Sequence, residues 1–175
     1  MNPLKISINA GHTLSGPGAG AEYKGLTEAE LTRLVARLVT EKLKKKGHTI
    51  HDSTVDRAAS QNAYLDEVVK RCNRASVDLF ISIHCNASLT HQGHGVECFT
   101  WQKKQVPEAV RICSNISALG FRNRGIKDGS GLAVVKNTHP TAILVELFFM
   151  DNTTDRKLFF EHGADKLAEA IVKAI

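Results

Sequence analysis

No uncharged apolar run approaches the ~20 residues that a helix needs to cross a bilayer, so no membrane insertion is expected. The four cysteines, Cys72, Cys85, Cys98 and Cys113, form no CxxC or CxxxC pair. That spacing excludes zinc-finger and thioredoxin-type readings. A chain of this size needs no disulfides, so buried free thiols are expected. The HExxH metal motif is also missing. Aromatic residues make up only 6%, and neither an aromatic-rich basic patch nor a helix-turn-helix pattern points to nucleic acid. There is no internal repeat, linker or low-complexity tract, so one domain is expected to fill residues 1–175. The start, Met1-Asn-Pro-Leu-Lys-Ile-Ser-Ile-Asn-Ala10, lacks a basic stretch followed by an apolar core and a cleavage site. A secretory leader is therefore not expected, and synthesis in the cytoplasm is.

The chain has 175 residues, 42% hydrophobic and 23% charged, which fits an ordinary globular domain and excludes a disordered tail, a collagen rod or a coiled coil. A net charge of +5 weakly favours polyanionic partners: nucleic acid, anionic membrane or acidic wall polymers. The longest basic run, Lys42-Leu-Lys-Lys-Lys-Gly47, reads as the end of a helix, where lysines suit the dipole.

Short β-rich runs alternate with helical patterns. Strands are predicted at 4–10, 48–51, 79–84, 93–101, 132–136 and 142–149, and helices at 28–46, 59–73, 107–119 and 165–175. The first helix is the best marked. Leu31, Leu34, Val35, Leu38, Val39 and Leu43 recur at helical spacing, Thr27 and Glu30 match a capping box, and Gly47 supplies a stop. The alternation predicts a single-domain α/β fold: a twisted, mostly parallel sheet with helices on both faces.

In such sheets ligands sit at the carboxyl ends of the strands. His12 follows the first strand, His84 ends another, and Glu146 lies in the run Ile143-Leu-Val-Glu-Leu-Phe-Phe149. A carboxylate in that run is costly to bury, so either alternation turns it to solvent or it is functional with a raised pKa. His12 alone reads as a loop histidine and His84 alone as a core histidine. Glu28 alone reads as an acidic residue favoured by the helix dipole, with Glu22 and Glu30 close by. Together, two histidines and a carboxylate suit the three-ligand, open-position pattern of catalytic zinc, with Glu146 acting on the bound water.

Several blocks then make the sequence recognisable. Asn9-Ala-Gly-His12 resembles a D-x-G-H opening, with Asn9 for the usual Asp. Gly25-Leu-Thr-Glu28-Ala-Glu-Leu31 resembles G-x-x-E-K-D-L/V, and Asp78-Leu-Phe-Ile-Ser-Ile-His84-Cys-Asn-Ala87 resembles D-L-F-V-S-I-H-A-N-A. Gly95-Val-Glu97-Cys-Phe99, Asn123-Arg-Gly-Ile-Lys127 and Pro140-Thr-Ala-Ile-Leu-Val-Glu146 match G-V-E-x-F/Y, N-R-G-V/I-K and P-A-V-L-V-E. In this order the blocks resemble the zinc-dependent N-acetylmuramoyl-L-alanine amidases of the amidase_3 group, found as phage endolysins and bacterial autolysins.

The resemblance implies one zinc ion per chain on His12, Glu28 and His84, with Glu146 as the catalytic carboxylate. It implies bacterial peptidoglycan as partner and action at the cell wall, with release of a phage or prophage lysin as the preferred route, and a monomer by default. Two departures stand out: Asp52-Ser-Thr-Val-Asp56 lacks a T-R-x-x-D block, and Phe148 replaces a common Gly, where it is expected to narrow the cleft. Glu97 is expected beside the site, in a structural or substrate-facing role. His91 and His94 are expected in a loop at the rim, and His139 in a loop or near a substrate oxyanion. Arg122, Arg124 and Lys127 are expected near stem-peptide carboxylates. The competing classes are a non-catalytic wall-binding module, a zinc amidohydrolase or peptidase on another substrate, and a nucleic-acid binder.

Overall fold

The structure, a computed structural model, describes residues 2–175. In chain order the elements are β1 (Lys5–Ala10), β2 (Glu22–Tyr23), β3 (Leu26–Thr27), α1 (Glu28–Lys45), β4 (Thr49–Asp52), α2 (Gln61–Arg74) and β5 (Leu79–Asn86). They continue with β6 (Val96–Thr100), α3 (Pro107–Ser117), β7 (Asn123–Asp128), α4 (Ala133–Lys136), β8 (Thr141–Phe149) and α5 (Thr153–Val172). Six strands form one sheet in the order β4-β1-β5-β8-β6-β7, and β2 and β3 form a small hairpin. The pairings among β4, β1, β5 and β8 are parallel; β6 pairs antiparallel with β8 and parallel with β7. The expected mostly parallel α/β sheet is present.

Period-two alternation divides the side chains between the sheet's two faces. Ile6, Ile8, Ala10, Ile81, Ile83, Val145 and Leu147 join the main core with α1, α3 and α5. On the other face Phe80 and Leu144 pack with Tyr64, Val68 and Cys72 of α2 and with Val134 and Val135 of α4. Helices thus cover both faces. All four cysteines are free and buried.

The start of α1 is built from its own sequence. Thr27 Oγ1 accepts from the Glu30 amide at 3.3 Å and donates to Glu30 Oε2 at 2.7 Å. The Glu30 carboxylate therefore returns to the hydroxyl of the cap. At the other end Gly47 takes φ 90°, where a side chain would be strained.

Besides the unpredicted β2–β3 hairpin, the structure departs from expectation in three places. Residues 132–136 are not a strand: Val134 and Val135 are both buried against the α2 side, and this packing overrides the β propensity of the valines. β7 falls where no strand is predicted, because Asn-Arg-Gly-Ile-Lys-Asp has the charged, Gly-containing composition of an edge strand. α5 begins at Thr153 rather than near 165. Asn152 caps it by accepting from the Thr154 and Asp155 amides, and Gly163 at φ 73° kinks it. Only the part beyond the kink carries the pattern visible in the sequence.

Phe148 does not narrow the cleft. Between the register pairs His84–Glu146 and Asn86–Phe149, β8 has one more residue than β5. This bulge reverses the alternation and turns Phe148 into the main core. Its ring stacks on Phe159 at 4.9 Å and lies 6.0 Å from Phe121.

Candidate metal centre

β1, β5 and β8 are neighbours in the middle of the sheet, so their carboxyl ends open onto one place. His12 enters it from the turn after β1, with φ 70°. The surroundings hold this uncommon conformation. The His12 N–H donates to the Tyr64 hydroxyl at 2.7 Å, and Arg33 Nη2 donates to the His12 carbonyl at 3.0 Å. His12 Nδ1 lies 3.0 Å from the Gly18 carbonyl. A carbonyl only accepts, so the proton sits on Nδ1 and the Nε2 lone pair faces the site.

Glu28 opens α1 but does not point into solvent; it is 4% exposed. Its Oε2 accepts from the Ala21 amide and its Oε1 from the Cys85 amide, each at 3.1 Å. The alternative glutamates are elsewhere: Glu30 is used in the cap, and Glu22 is exposed on β2. His84, next to the end of β5, places Nδ1 3.2 Å from both His12 Nε2 and Glu28 Oε1. His12 Nε2 is 3.0 Å from Glu28 Oε1.

This triangle can be tested against a metal. Bonds of about 2.0–2.1 Å at tetrahedral angles separate ligand atoms by about 3.3 Å. The observed separations of 3.0, 3.2 and 3.2 Å match one face of such a tetrahedron and leave the fourth vertex open. Among the described residues, His12, Glu28 and His84 are the one group of three such side chains close enough to share an ion. Two imidazole nitrogens and a carboxylate oxygen suit a divalent transition metal.

Two glycines make the room. A Cβ on Gly11 falls 2.3 Å from the His84 ring, and one on Gly20 falls 2.5 Å from Glu28 Oε2 and 2.7 Å from the His12 ring. Both contacts are far inside van der Waals range. Gly20→Ala is therefore expected to lower metal affinity at least tenfold, with circular dichroism unchanged; equilibrium dialysis measures it.

The charges are tuned by burial and by each other. Burial opposes ionisation of Glu28, yet hydrogen bonds donated by His12 and His84 when they are protonated outweigh it and hold the carboxyl at about 2. Burial pulls His84 below the ordinary histidine value, and the contact with Glu28 only partly offsets this. His12 is less enclosed. There burial also lowers, but the Glu28 hydrogen bond prevails and the value rises. One carboxylate raises both histidines, and the net shifts are opposite because His84 is the more deeply desolvated.

Glu146 stands beside His84 in register on β8. It faces the α2 side with Leu144 and joins His12, His84, Tyr64, Phe99 and Leu132 in lining a cleft of about 370 Å³. Its Oε2 is buried and has no hydrogen-bond partner among the described residues. Burial, then the neighbouring charges of Glu28 and Glu97, push the carboxyl well above the usual range. The solvent-facing alternative does not describe it.

Glu97 pairs in register with Glu146 from β6, but its oxygens are committed. Oε1 accepts from Asn86 Nδ2 at 2.9 Å and Oε2 from Arg124 Nε at 2.7 Å. Arg124 also lies over the Phe149 ring at 4.9 Å, so the charge expected to face substrate carboxylates is paired within the protein. His91 is a loop residue whose Nδ1 meets Asp151 Oδ2 at 2.8 Å, and His94 Nδ1 lies 3.2 Å from the Gln92 carbonyl in its own loop. His139 precedes β8 at the opposite end of the strand from Glu146, where its amide donates to Asn73. It cannot serve an oxyanion at this site.

Sequence reasoning missed Tyr64, Arg33 and Gly18. Each acts on His12 through a backbone atom or the outer ring nitrogen, and no local spacing signals such a contact. Gly11 enters the sequence reading only within the Asn9-Ala-Gly-His12 block, and Gly20 carries no signal there.

Comparisons with known proteins identify the family. The family model of Amidase_3, described as N-acetylmuramoyl-L-alanine amidase, matches residues 6–175. The uncharacterized protein YqiI of Bacillus subtilis (strain 168) is 32% identical over 176 residues, spanning 97% of this chain and 82% of that protein. The N-acetylmuramoyl-L-alanine amidase LytC of the same organism is 31% identical over 172 residues, 95% of this chain. Some relatives are much longer: the chain spans 51% of an uncharacterized Clostridium perfringens protein and 34% of LytC. Among solved structures, the catalytic domain of the CD27L endolysin targeting Clostridia Difficile superposes with a TM-score of 0.89 at 30% identity, covering 98% of this chain and 96% of that one. The chain belongs to the Amidase_3 family and is a peptidoglycan hydrolase of the N-acetylmuramoyl-L-alanine amidase type.

Proposed function

We propose that residues 1–175 form a zinc-dependent catalytic unit that cleaves the amide between N-acetylmuramic acid and the L-alanine of the stem peptide, at the bacterial wall. The observation that carries this reading is the placing of Glu146, partnerless and raised in pKa, in the same cleft as the His12–Glu28–His84 triangle. In this reading His12 Nε2, His84 Nδ1 and Glu28 Oε1 hold the ion. When bound, zinc supplies Lewis acidity: it polarises a carbonyl and brings the pKa of water toward ~7.

The chain's own residues do the rest. Glu146 accepts a proton from the attacking water and returns it to the leaving nitrogen of L-alanine. Burial raises its proton affinity, which suits both steps. Leu144, Phe99 and Leu132 line the cleft with apolar surface and help exclude bulk water around the carboxyl. Glu97, held by Arg124 and Asn86, keeps a charge near Glu146 that discourages its ionisation.

Mass spectrometry of digested walls tests the bond assignment. The expected products are stem peptides with free L-alanine amino termini and glycan strands with intact lactyl groups. Cleavage between stem residues would make the chain a peptidase. Binding to walls with no product would make it a wall-binding module.

A further inference from the structure

We propose that Asn9 and Ser82 are positioning residues that fix the tautomer of His84, and so decide which of its nitrogens is free to bind a metal. The inference rests on the metal-site reading above. Asn9 and Ser82 are register partners on adjacent strands β1 and β5, both fully buried on the α2 side of the sheet. Ser82 is two residues before His84, so alternation puts their side chains on one face. Ser82 Oγ donates to Asn9 Oδ1 at 2.7 Å and lies 3.1 Å from His84 Nε2. A hydroxyl has one proton to give. Spent on Asn9, it leaves Ser82 to accept from His84, which places the His84 proton on Nε2. Nδ1 then carries the lone pair, and Nδ1 is the atom that points at His12 and Glu28.

The direction of the relay depends on which end of the Asn9 amide meets Ser82. Asn9 Nδ2 donates to the carbonyls of Ala10 at 3.2 Å and Ser53 at 3.5 Å. Reversing the amide would set Oδ1 against two carbonyl oxygens and make Nδ2 a donor to Ser82. Ser82 would then donate to His84 Nε2, and the proton would move to Nδ1, closing the ligand position. The two carbonyls therefore hold the amide in the productive sense.

Two readouts test this. In metal-free protein at a pH where His84 is neutral, imidazole ¹⁵N shifts report the tautomer; in zinc titrations against a competing chelator, affinity is measured directly. Wild type is expected to show His84 protonated on Nε2. Ser82→Ala is expected to mix the tautomers and weaken zinc binding about 10–100-fold. Asn9→Leu should behave alike, while Ser82→Thr, which keeps the hydroxyl, should stay within about threefold of wild type. Should Asn9→Leu fail to fold, Ser82→Ala and its Thr rescue carry the test. An unchanged tautomer and unchanged affinity in Ser82→Ala would overturn the proposal. A wild type with the expected tautomer but no zinc binding would instead overturn the metal-site reading.

Discussion

Glu146→Gln is expected to lower the hydrolysis rate by about 10²–10⁴-fold, the range general acid–base groups contribute, while zinc content stays at that of wild type. Glutamine fills the same space beside His84 but cannot take or return a proton. The same variant should be more stable than wild type in metal-free form at neutral pH. The folded-state pKa of Glu146 is raised by burial and by Glu28 and Glu97. A raised carboxyl costs stability as pH climbs above its unfolded value, because the unfolded chain sheds the proton first. Glutamine removes that cost, and each kcal/mol recovered should raise Tm by about 2–4 °C. Calorimetry with the apo protein, beside a rate assay on walls, reads both effects. Full activity in Glu146→Gln would remove the residue from the mechanism.

His84→Ala is expected to abolish zinc retention through dialysis, and with it detectable lysis. The reason is geometric: it removes one vertex of a triangle whose edges are 3.0–3.2 Å. At acid pH, where both His84 nitrogens carry protons, it also strips a hydrogen bond from the buried Glu28 carboxylate, which should destabilise the apo protein there. The pH dependence of that loss has a sign. Glu28 is held at about 2 against an ordinary 4.5, chiefly because the histidine contacts overcome burial. A lowered carboxyl contributes stability that is present above its unfolded pKa and disappears as pH falls through the folded value. Apo wild type should therefore lose stability between about pH 4.5 and about 2, and His84→Ala should lose less across that range. Retention of tightly bound zinc in His84→Ala would contradict the ligand set.

Much of this was legible in the sequence, for identifiable reasons. α1 announces itself by apolar spacing and a capping Thr27, and the buried strands β5 and β8 by β-branched runs. These elements put both His84 and Glu146 toward strand ends, and the sheet order then sets them side by side. The convergence of His12 and Glu28 on His84 was not legible from spacing, because it depends on the turn between β1 and β2 folding back so that Ala21 and Gly18 reach the site. Strand-end positions made it suggestive, and the resemblance made it specific. The errors have a common source. Phe148 is misplaced by a single extra residue in β8, and residues 132–136 by tertiary packing that outweighs valine's β propensity. β7 is hidden because edge strands carry charge.

The central claim is that His12, Glu28 and His84 hold a zinc ion that Glu146 works beside. Zinc content of the purified chain, measured with wall lysis before and after chelation, tests it most directly. About one zinc per chain is expected, with lysis lost on chelation and restored by added zinc. Lysis that persists in metal-free protein would contradict it.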